Sequence, residues 1–169
     1  ITSYAVTSLG IPNKKVVQIY NPVDTKKYEL ARKPEAVRAL YGINPAAHVV
    51  AMFARIVPWK GQIEFVKAVI LLLSKGIKVT AMIVGKESDG DITYLESVRR
   101  YIDQSGFSAS FIFTGYHDRV EDLYSATDIV VHASIEPEPL GRVILEAWAA
   151  SKPVVSTTPG APKELIVDG

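Results

Sequence analysis

Between Asp128 and Thr157 the chain reads D-I-V-V-H-A-S-I-E-P-E-P-L-G-R-V-I-L-E-A-W-A-A-S-K-P-V-V-S-T, and that order of residue types leaves few folds open. Asp128 to Ala133 is a short β-branched run of the kind buried on both faces of a parallel sheet. Ser134 to Glu138 is a polar loop interrupted by proline. From Leu140 the spacing of Val143, Ile144, Ala147 and Trp148 predicts a helix that turns those side chains to the core. Pro139 suits its first position, where a missing N–H is not needed. Ser151-Lys152-Pro153 stops the helix, and Val154 and Val155 begin another strand. Strand, loop, helix and strand form the crossover unit that parallel strands require.

The same alternation runs through most of the chain. His48 to Arg55 is the first clearly buried strand, Ile56 to Gly61 its loop, and Gln62 to Ser74 a helix closed by Gly76. That helix carries Ile63, Val66, Ile70 and Leu73 at three- and four-residue spacing, which predicts its buried face. Lys78 to Gly85 is the next strand, followed by a polar loop from Lys86 to Asp91. An amphipathic helix over Ile92 to Ser105 turns Leu95, Val98 and Ile102 inward. Ser110 to Thr114 is a strand, Val120 to Ala126 a short helix, and Pro162 to Ile166 starts a last one. Before this array, Ile1 to Gly10 has a weak helical pattern, and Lys14 to Tyr20 reads as a strand ending in an Asn21-Pro22-Val23-Asp24 turn. Pro34 to Tyr41 is a short helix stopped by Gly42. Units of roughly 20–30 residues predict an α/β fold: a three-layer, doubly wound parallel sheet in one domain.

Composition narrows the class further. A chain of 169 residues with 48% hydrophobic content can bury a sizeable core and does not resemble a disordered segment. A net charge of +1 gives no reason to expect nucleic acid or an anionic membrane as the main partner. The absence of cysteine excludes disulfides and a thiol nucleophile, and fits a reducing, cytoplasmic compartment. The apolar run Phe65 to Leu73 is interrupted by Lys67 and too short to span a bilayer. The chain begins without a methionine, so a piece of a longer protein is expected.

Chemistry concentrates where strands hand over to helices. Glu138 and Glu146 are separated by seven residues, with Leu140 and Gly141 between them at the expected helix start. Exposed N–H groups and the positive end of the helix dipole favour a phosphate there, and glycine lets it approach closely. On one helix, eight positions come to about two turns plus 80°, so both carboxylates can flank a ligand and accept bonds from sugar or ribose hydroxyls. Ordinary capping and a solvated helix face would give the same spacing. Arg55 and Lys60 bracket another strand-to-helix junction, a placement suited to a diphosphate or simply to solvated cations. Tyr116 follows Gly115 at a third strand end. His117 and Asp118 are adjacent, and neighbouring side chains on a loop seldom converge into a dyad. His132 ends the signature strand, facing either the core or the site, and Trp59 stands in the Arg55–Lys60 loop.

The run H-A-S-I-E-P-E-P-L-G-R-V-I-L-E-A-W-A resembles the signature of the group 1 retaining glycosyltransferases of the GT-B fold: a Glu, seven residues, then Glu-Ala with a glycine in the gap. A-R-I-V-P-W-K-G resembles the family's Gly-Arg-x4-Lys-Gly diphosphate clamp, with Ala54 in place of the glycine. F-T-G-Y-H-D-R-V-E-D-L-Y-S-A-T-D is similar to the segment that precedes the signature, and N-P-V-D to the turn leading into the nucleotide-binding half.

The resemblance implies the donor-binding, C-terminal half of a two-domain enzyme that moves a hexose from a UDP- or GDP-sugar to an acceptor hydroxyl. Arg55, Lys60 and Glu138 would be the catalytic set, with Lys60 and Arg55 on the diphosphate and Glu138 at the sugar. Leu140, Gly141, Glu146 and Tyr116 would hold the nucleotide, Glu146 at the ribose and Tyr116 bordering the base. No cofactor and no metal is expected, since two cations and a helix start can do the work of Mg²⁺. The acceptor, whether glycan, lipid or small molecule, would be bound by a missing N-terminal domain, leaving this piece inactive alone. Peripheral membrane association of the full-length protein stays open. Two alternatives remain: a sugar-nucleotide hydrolase or epimerase on the same fold, and a non-catalytic nucleotide-binding module of receiver type. The second would want acidic residues at the end of the first strand, where this chain has Arg55.

Overall fold

The computed structural model describes residues 6–88 and 92–167. Its centre is a five-stranded, all-parallel sheet built from β1 (His48–Phe53), β2 (Val79–Val84), β3 (Phe111–Gly115), β4 (Ile129–His132) and β5 (Val154–Ser156), in the order β3-β2-β1-β4-β5. The α-helices, in chain order, are α1 (Lys26–Glu29), α2 (Pro34–Leu40), α3 (Gln62–Ser74), α4 (Thr93–Gln104), α5 (Val120–Ala126), α6 (Arg142–Ala149) and α7 (Pro162–Leu165).

Side chains alternate across each strand, so a sheet covered on both faces must be apolar at every position. In β1, Val49, Ala51 and Phe53 join one core with Leu123, Tyr124 and Ala147 from α5 and α6. Val50 and Met52 join the other, with Phe65, Val66 and Val69 of α3 and Val98 and Ile102 of α4. The helices therefore divide between the two faces, which is the three-layer doubly wound fold expected. Strand order runs outward from β1 in one direction and reverses at β4, placing the topological switch point between β1 and β4. Asp128 ties the lower end of that junction: its carboxylate accepts from the Val49 N–H at 2.7 Å and from Arg38 Nη2 at 2.7 Å.

Several expectations need correction. Lys14 to Tyr20 forms no ladder strand: Asn13–Lys15 is a 3₁₀ turn, and the chain after it runs with Val17 and Ile19 exposed. A β-branched run specifies a strand only when an edge is there to pair with it; here Gln18 and Tyr20 instead donate side-chain bonds to Glu164 of α7. The buried face of α3 is Gln62, Phe65, Val66 and Val69, rotated from the predicted stripe, with Ile63, Ile70 and Leu73 at its margins. Trp148 does not enter the core and is 43% exposed. Part of the weak helical pattern, Ile1 to Ala5, and the loop residues Asp89 to Asp91 lie outside the described residues.

Candidate active site

Because every strand is parallel, the segments after β1, β4 and β5 leave the sheet on the same edge. Pro58–Lys60 makes a 3₁₀ turn after β1 and delivers Gly61 at φ +80° into α3. A Cβ on Gly61 would lie 2.0 Å from the Ala133 carbonyl oxygen, so glycine is what lets the β1 and β4 exits touch. The Ile135 N–H then donates to the Trp59 carbonyl at 2.9 Å. Across this seam Lys60 Nζ donates to Glu138 Oε2, with the two side chains only 15% and 11% exposed. The same ammonium lies 4.0 Å from the centroid of the Trp59 ring, a cation–π contact.

Glu138 is not on the helix. It sits in the loop, paired with the turn after β5: its N–H donates to the Pro159 carbonyl at 3.1 Å and its carbonyl accepts from Ala161 N–H at 2.8 Å. Gly160, at φ +88°, makes that approach possible, since a Cβ there would fall 2.3 Å from the Glu138 oxygen. Helix α6 begins at Arg142, not Leu140, with Gly141 as its N-cap at φ +68°. Pro139 therefore precedes the helix, and the two glutamates are not related by a helical repeat. Gly141 is favoured by its left-handed backbone; the Ile144 Cδ1, 3.0 Å from where a Cβ would lie, is the end of a flexible side chain that could shift. Leu140 is half-buried beside it.

Three donors converge on Glu138. Besides Lys60, His132 Nε2 stands 3.5 Å from Oε2, and Ser134 Oγ donates to Oε2 at 3.3 Å. The His132 imidazole and the Lys60 ammonium outweigh burial and hold the Glu138 carboxyl at about 2, so it is an anion that only accepts. Glu146 is held separately on α6. Tyr124, fully buried and stacked on Phe53 with centroids 3.7 Å apart, donates its hydroxyl to Glu146 Oε2 at 3.1 Å. Arg142 Nη2 donates to Oε1 at 3.0 Å. Burial and the Glu146 carboxylate push the Tyr124 phenol well above its ordinary value, which keeps it a donor.

Arg55 lies exposed just past β1; its backbone carbonyl accepts from Gln62 Nε2 at 2.8 Å. Tyr116 follows β3 and is 68% exposed. His117 Nε2 is 3.2 Å from the Tyr41 hydroxyl, which assigns it a packing partner. The structure thus brings Lys60 and Glu138 into contact, while Arg55, Tyr116 and Glu146 are held on their own elements, with no bond to either among the described residues. Sequence reasoning gave no site role to Gln62 or Ser134. Thr157 Oγ1 donates to the Ser134 carbonyl at 2.6 Å and locks the β4 and β5 exits together. The one available signal was the place of Gln62, the first residue of the helix that follows the Arg55–Lys60 loop.

Among the described residues no cluster of three or more His, Asp or Glu side chains could hold a metal, and no helix is long and apolar enough to cross a membrane. The expectation of no metal included the absence of an Asp-x-Asp pair; that is corrected by the sequence itself, which has Asp89-Gly90-Asp91, outside the described residues.

Residues 35–169 match the model of the family described as glycosyl transferases group 1. The chain is 32% identical over 162 residues to the lipopolysaccharide core biosynthesis mannosyltransferase LpsB of Rhizobium meliloti, covering 95% of this chain and 45% of that protein. It superposes on Anabaena Alr3699/HepE in complex with UDP and glucose with a TM-score of 0.85 and 32% identity, over 98% of this chain and 44% of the other. The C-terminal domain of the group 1 protein LpcC from Francisella tularensis gives a TM-score of 0.75 at 32% identity, over 87% and 76% of the two chains. The chain spans under half the length of the first two of these relatives. The fold is that of the Rossmann-like C-terminal half of a GT-B glycosyltransferase, and the chain belongs to the group 1 glycosyl transferases.

Proposed function

We propose that this chain is the donor-binding domain of a retaining glycosyltransferase that moves a hexose from a UDP- or GDP-sugar to an acceptor hydroxyl. The observation that carries the reading is the contact of Lys60 with Glu138 across the switch point between β1 and β4, where open parallel sheets bind their ligands. A cation and an ionised carboxylate side by side suit a ligand that joins a diphosphate to a hydroxyl-rich ring. Arg55 and Lys60, with Leu140 and Gly141 leading into the start of α6 at Arg142, neutralise the leaving diphosphate as its charge develops. Glu138 accepts from the sugar hydroxyls, Glu146 from the ribose, and Tyr116 borders the base. These cations carry the charge, so no step passes through a metal or cofactor.

The relatives support a hexose: one is described as a mannosyltransferase, and another was solved with UDP and glucose. The acceptor (a glycan, a lipid or a small molecule) belongs to a further domain, so residues 1–169 alone bind donor without turnover. We place the full protein in the cytoplasm.

Thermal unfolding with UDP, GDP and ADP tests the reading. At about 100 times Kd, binding adds roughly 2.7 kcal/mol, or on the order of 5–10 °C. A shift with one nucleotide, lost in Arg55→Ala and Glu146→Ala, supports the site and names the base. A shift that survives both substitutions overturns the assignment.

A further inference from the structure

The geometry points to His132 as the positioning residue that aims the Glu138 carboxylate, a role that rests on the reading of Glu138 given above. His132 is the last residue of β4, and its side chain is 5% exposed. A polar ring buried that deeply must have both nitrogens satisfied, and its partners define its orientation. In the ladder, His132 is paired with Ser156 of β5, and its Nδ1 lies 3.1 Å from Ser156 Oγ. The Ser156 hydroxyl has a single proton and donates it to the Thr157 carbonyl at 2.8 Å, so at Nδ1 it can only accept. Nδ1 therefore carries a proton. On the other side Nε2 faces Glu138 Oε2 at 3.5 Å and Ser134 Oγ at 3.3 Å, and the serine proton is directed at the same Oε2. The ring is thus fixed at both nitrogens, by Ser156 on one side and by Ser134 and Glu138 on the other.

The consequence for Glu138 is directional. Lys60, His132 and Ser134 all meet Oε2, and none of them meets Oε1. Among the described residues one oxygen is held by side chains and the other is left for a ligand hydroxyl. His132 holds it from the sheet, on a rigid strand, whereas Lys60 comes from a loop and has a diphosphate to bind as well. When the diphosphate draws on the ammonium, His132 and Ser134 are what keep Oε2 in place. His132 acts through Glu138 and does not itself touch the donor.

The two amide replacements separate this role from simple tethering of β4 to β5. His132→Gln keeps a donor where Nε2 stands, toward Glu138; His132→Asn keeps one where Nδ1 stands, toward Ser156. Both are measured in the full-length enzyme for sugar transfer and for binding of the free nucleoside diphosphate, with Glu138→Gln alongside. A lost charge-assisted bond predicts at least about a tenfold fall in kcat for His132→Asn, with His132→Gln within about threefold of the parent. Nucleoside diphosphate affinity stays within about threefold in both variants, because the defect lies at the sugar. Asn retaining activity while Gln loses it assigns His132 to the β4–β5 tether and overturns the proposal, as does any pattern in which both fall or both retain. A Glu138→Gln enzyme that transfers sugar like the parent instead removes the role of Glu138 itself, whatever the His132 variants do.

Discussion

Lys60 donates its ammonium to Glu138 Oε2, joining two residues 78 positions apart that the site reading assigns to different parts of one ligand. With both side chains largely out of water, removing one partner strands the other's charge. Lys60→Ala and Glu138→Ala are each expected to cost about 2–4 kcal/mol. The double variant should cost clearly less than the sum, with a coupling of at least about 1 kcal/mol. A double-mutant cycle in urea measures this, and simple additivity would mean that the pair contributes nothing.

Gly160 has no room for a side chain: at φ +88° an added Cβ would meet the Glu138 backbone at 2.3 Å and 2.5 Å. Gly10 at φ +64° has nothing within 4 Å. Gly160→Ala should therefore cost about 3 kcal/mol or more and weaken nucleotide-sugar binding, through a displaced Glu138. Gly10→Ala should cost about 1 kcal/mol, from backbone conformation alone. Equal destabilisation of the two in chemical denaturation would remove the steric argument.

The core and the order of elements were legible because each strand is a continuous apolar run and each crossover helix has its own stop signal. Gln62–Ser74 and Val120–Ala126 fall where periodicity predicts them. The Lys14–Tyr20 segment failed because β-propensity reports a fit to a pleated surface, and among the described residues it pairs with no strand. The start of α6 was misread by two residues because Pro139 is a favoured first residue, while the structure uses Gly141 as a left-handed cap. The presence of Lys60 and Glu138 at strand-to-helix junctions, and of Glu146 within the helix that follows, was readable from spacing. The contact between Lys60 and Glu138 was not: it depends on the strand order, and on the close approaches at Gly61 and Gly160, which leave no trace in local sequence.

Glu138 titrates at about 2 in the folded protein, below its ordinary 4.5. A carboxyl depressed by folding stabilises fully above its unfolded value, and that contribution is lost as pH falls toward the folded one. The parent should thus lose on the order of 3 kcal/mol from this group between about pH 5 and pH 2. Glu138→Gln should lack that portion of the slope. Urea unfolding at a series of acidic pH values checks it; parallel curves for the two proteins would contradict the assignment.

Tyr124→Phe deletes one hydroxyl and preserves the stack on Phe53. The lost bond to Glu146 should cost about 1–2 kcal/mol, because a carboxylate is the acceptor. Among the described residues Glu146 would then keep only Arg142, whose side chain is 62% exposed. Nucleotide affinity should fall several-fold in Tyr124→Phe, and Arg142→Ala should change stability by less than about 1 kcal/mol. Calorimetric titration with the nucleoside diphosphate reads the first effect. Unchanged affinity would show that Glu146 needs no support from the core.

Arg55 reverses the balance between stability and binding. Its side chain is exposed and makes no ion pair among the described residues, while its backbone is fixed by Gln62 at 2.8 Å. Arg55→Ala should leave stability within about 0.5 kcal/mol of the parent, as surface substitutions do. A guanidinium aimed at a diphosphate supplies charge-assisted bonds of about 1.5–3 kcal/mol, so affinity should fall roughly 10- to 100-fold. Added salt should narrow the gap between parent and variant. Gln62→Leu tests the anchor separately: it removes the bond to the Arg55 carbonyl and retains the charge, so it should weaken binding less than Arg55→Ala does. The reverse ranking would place the contribution in the loop backbone instead of the guanidinium.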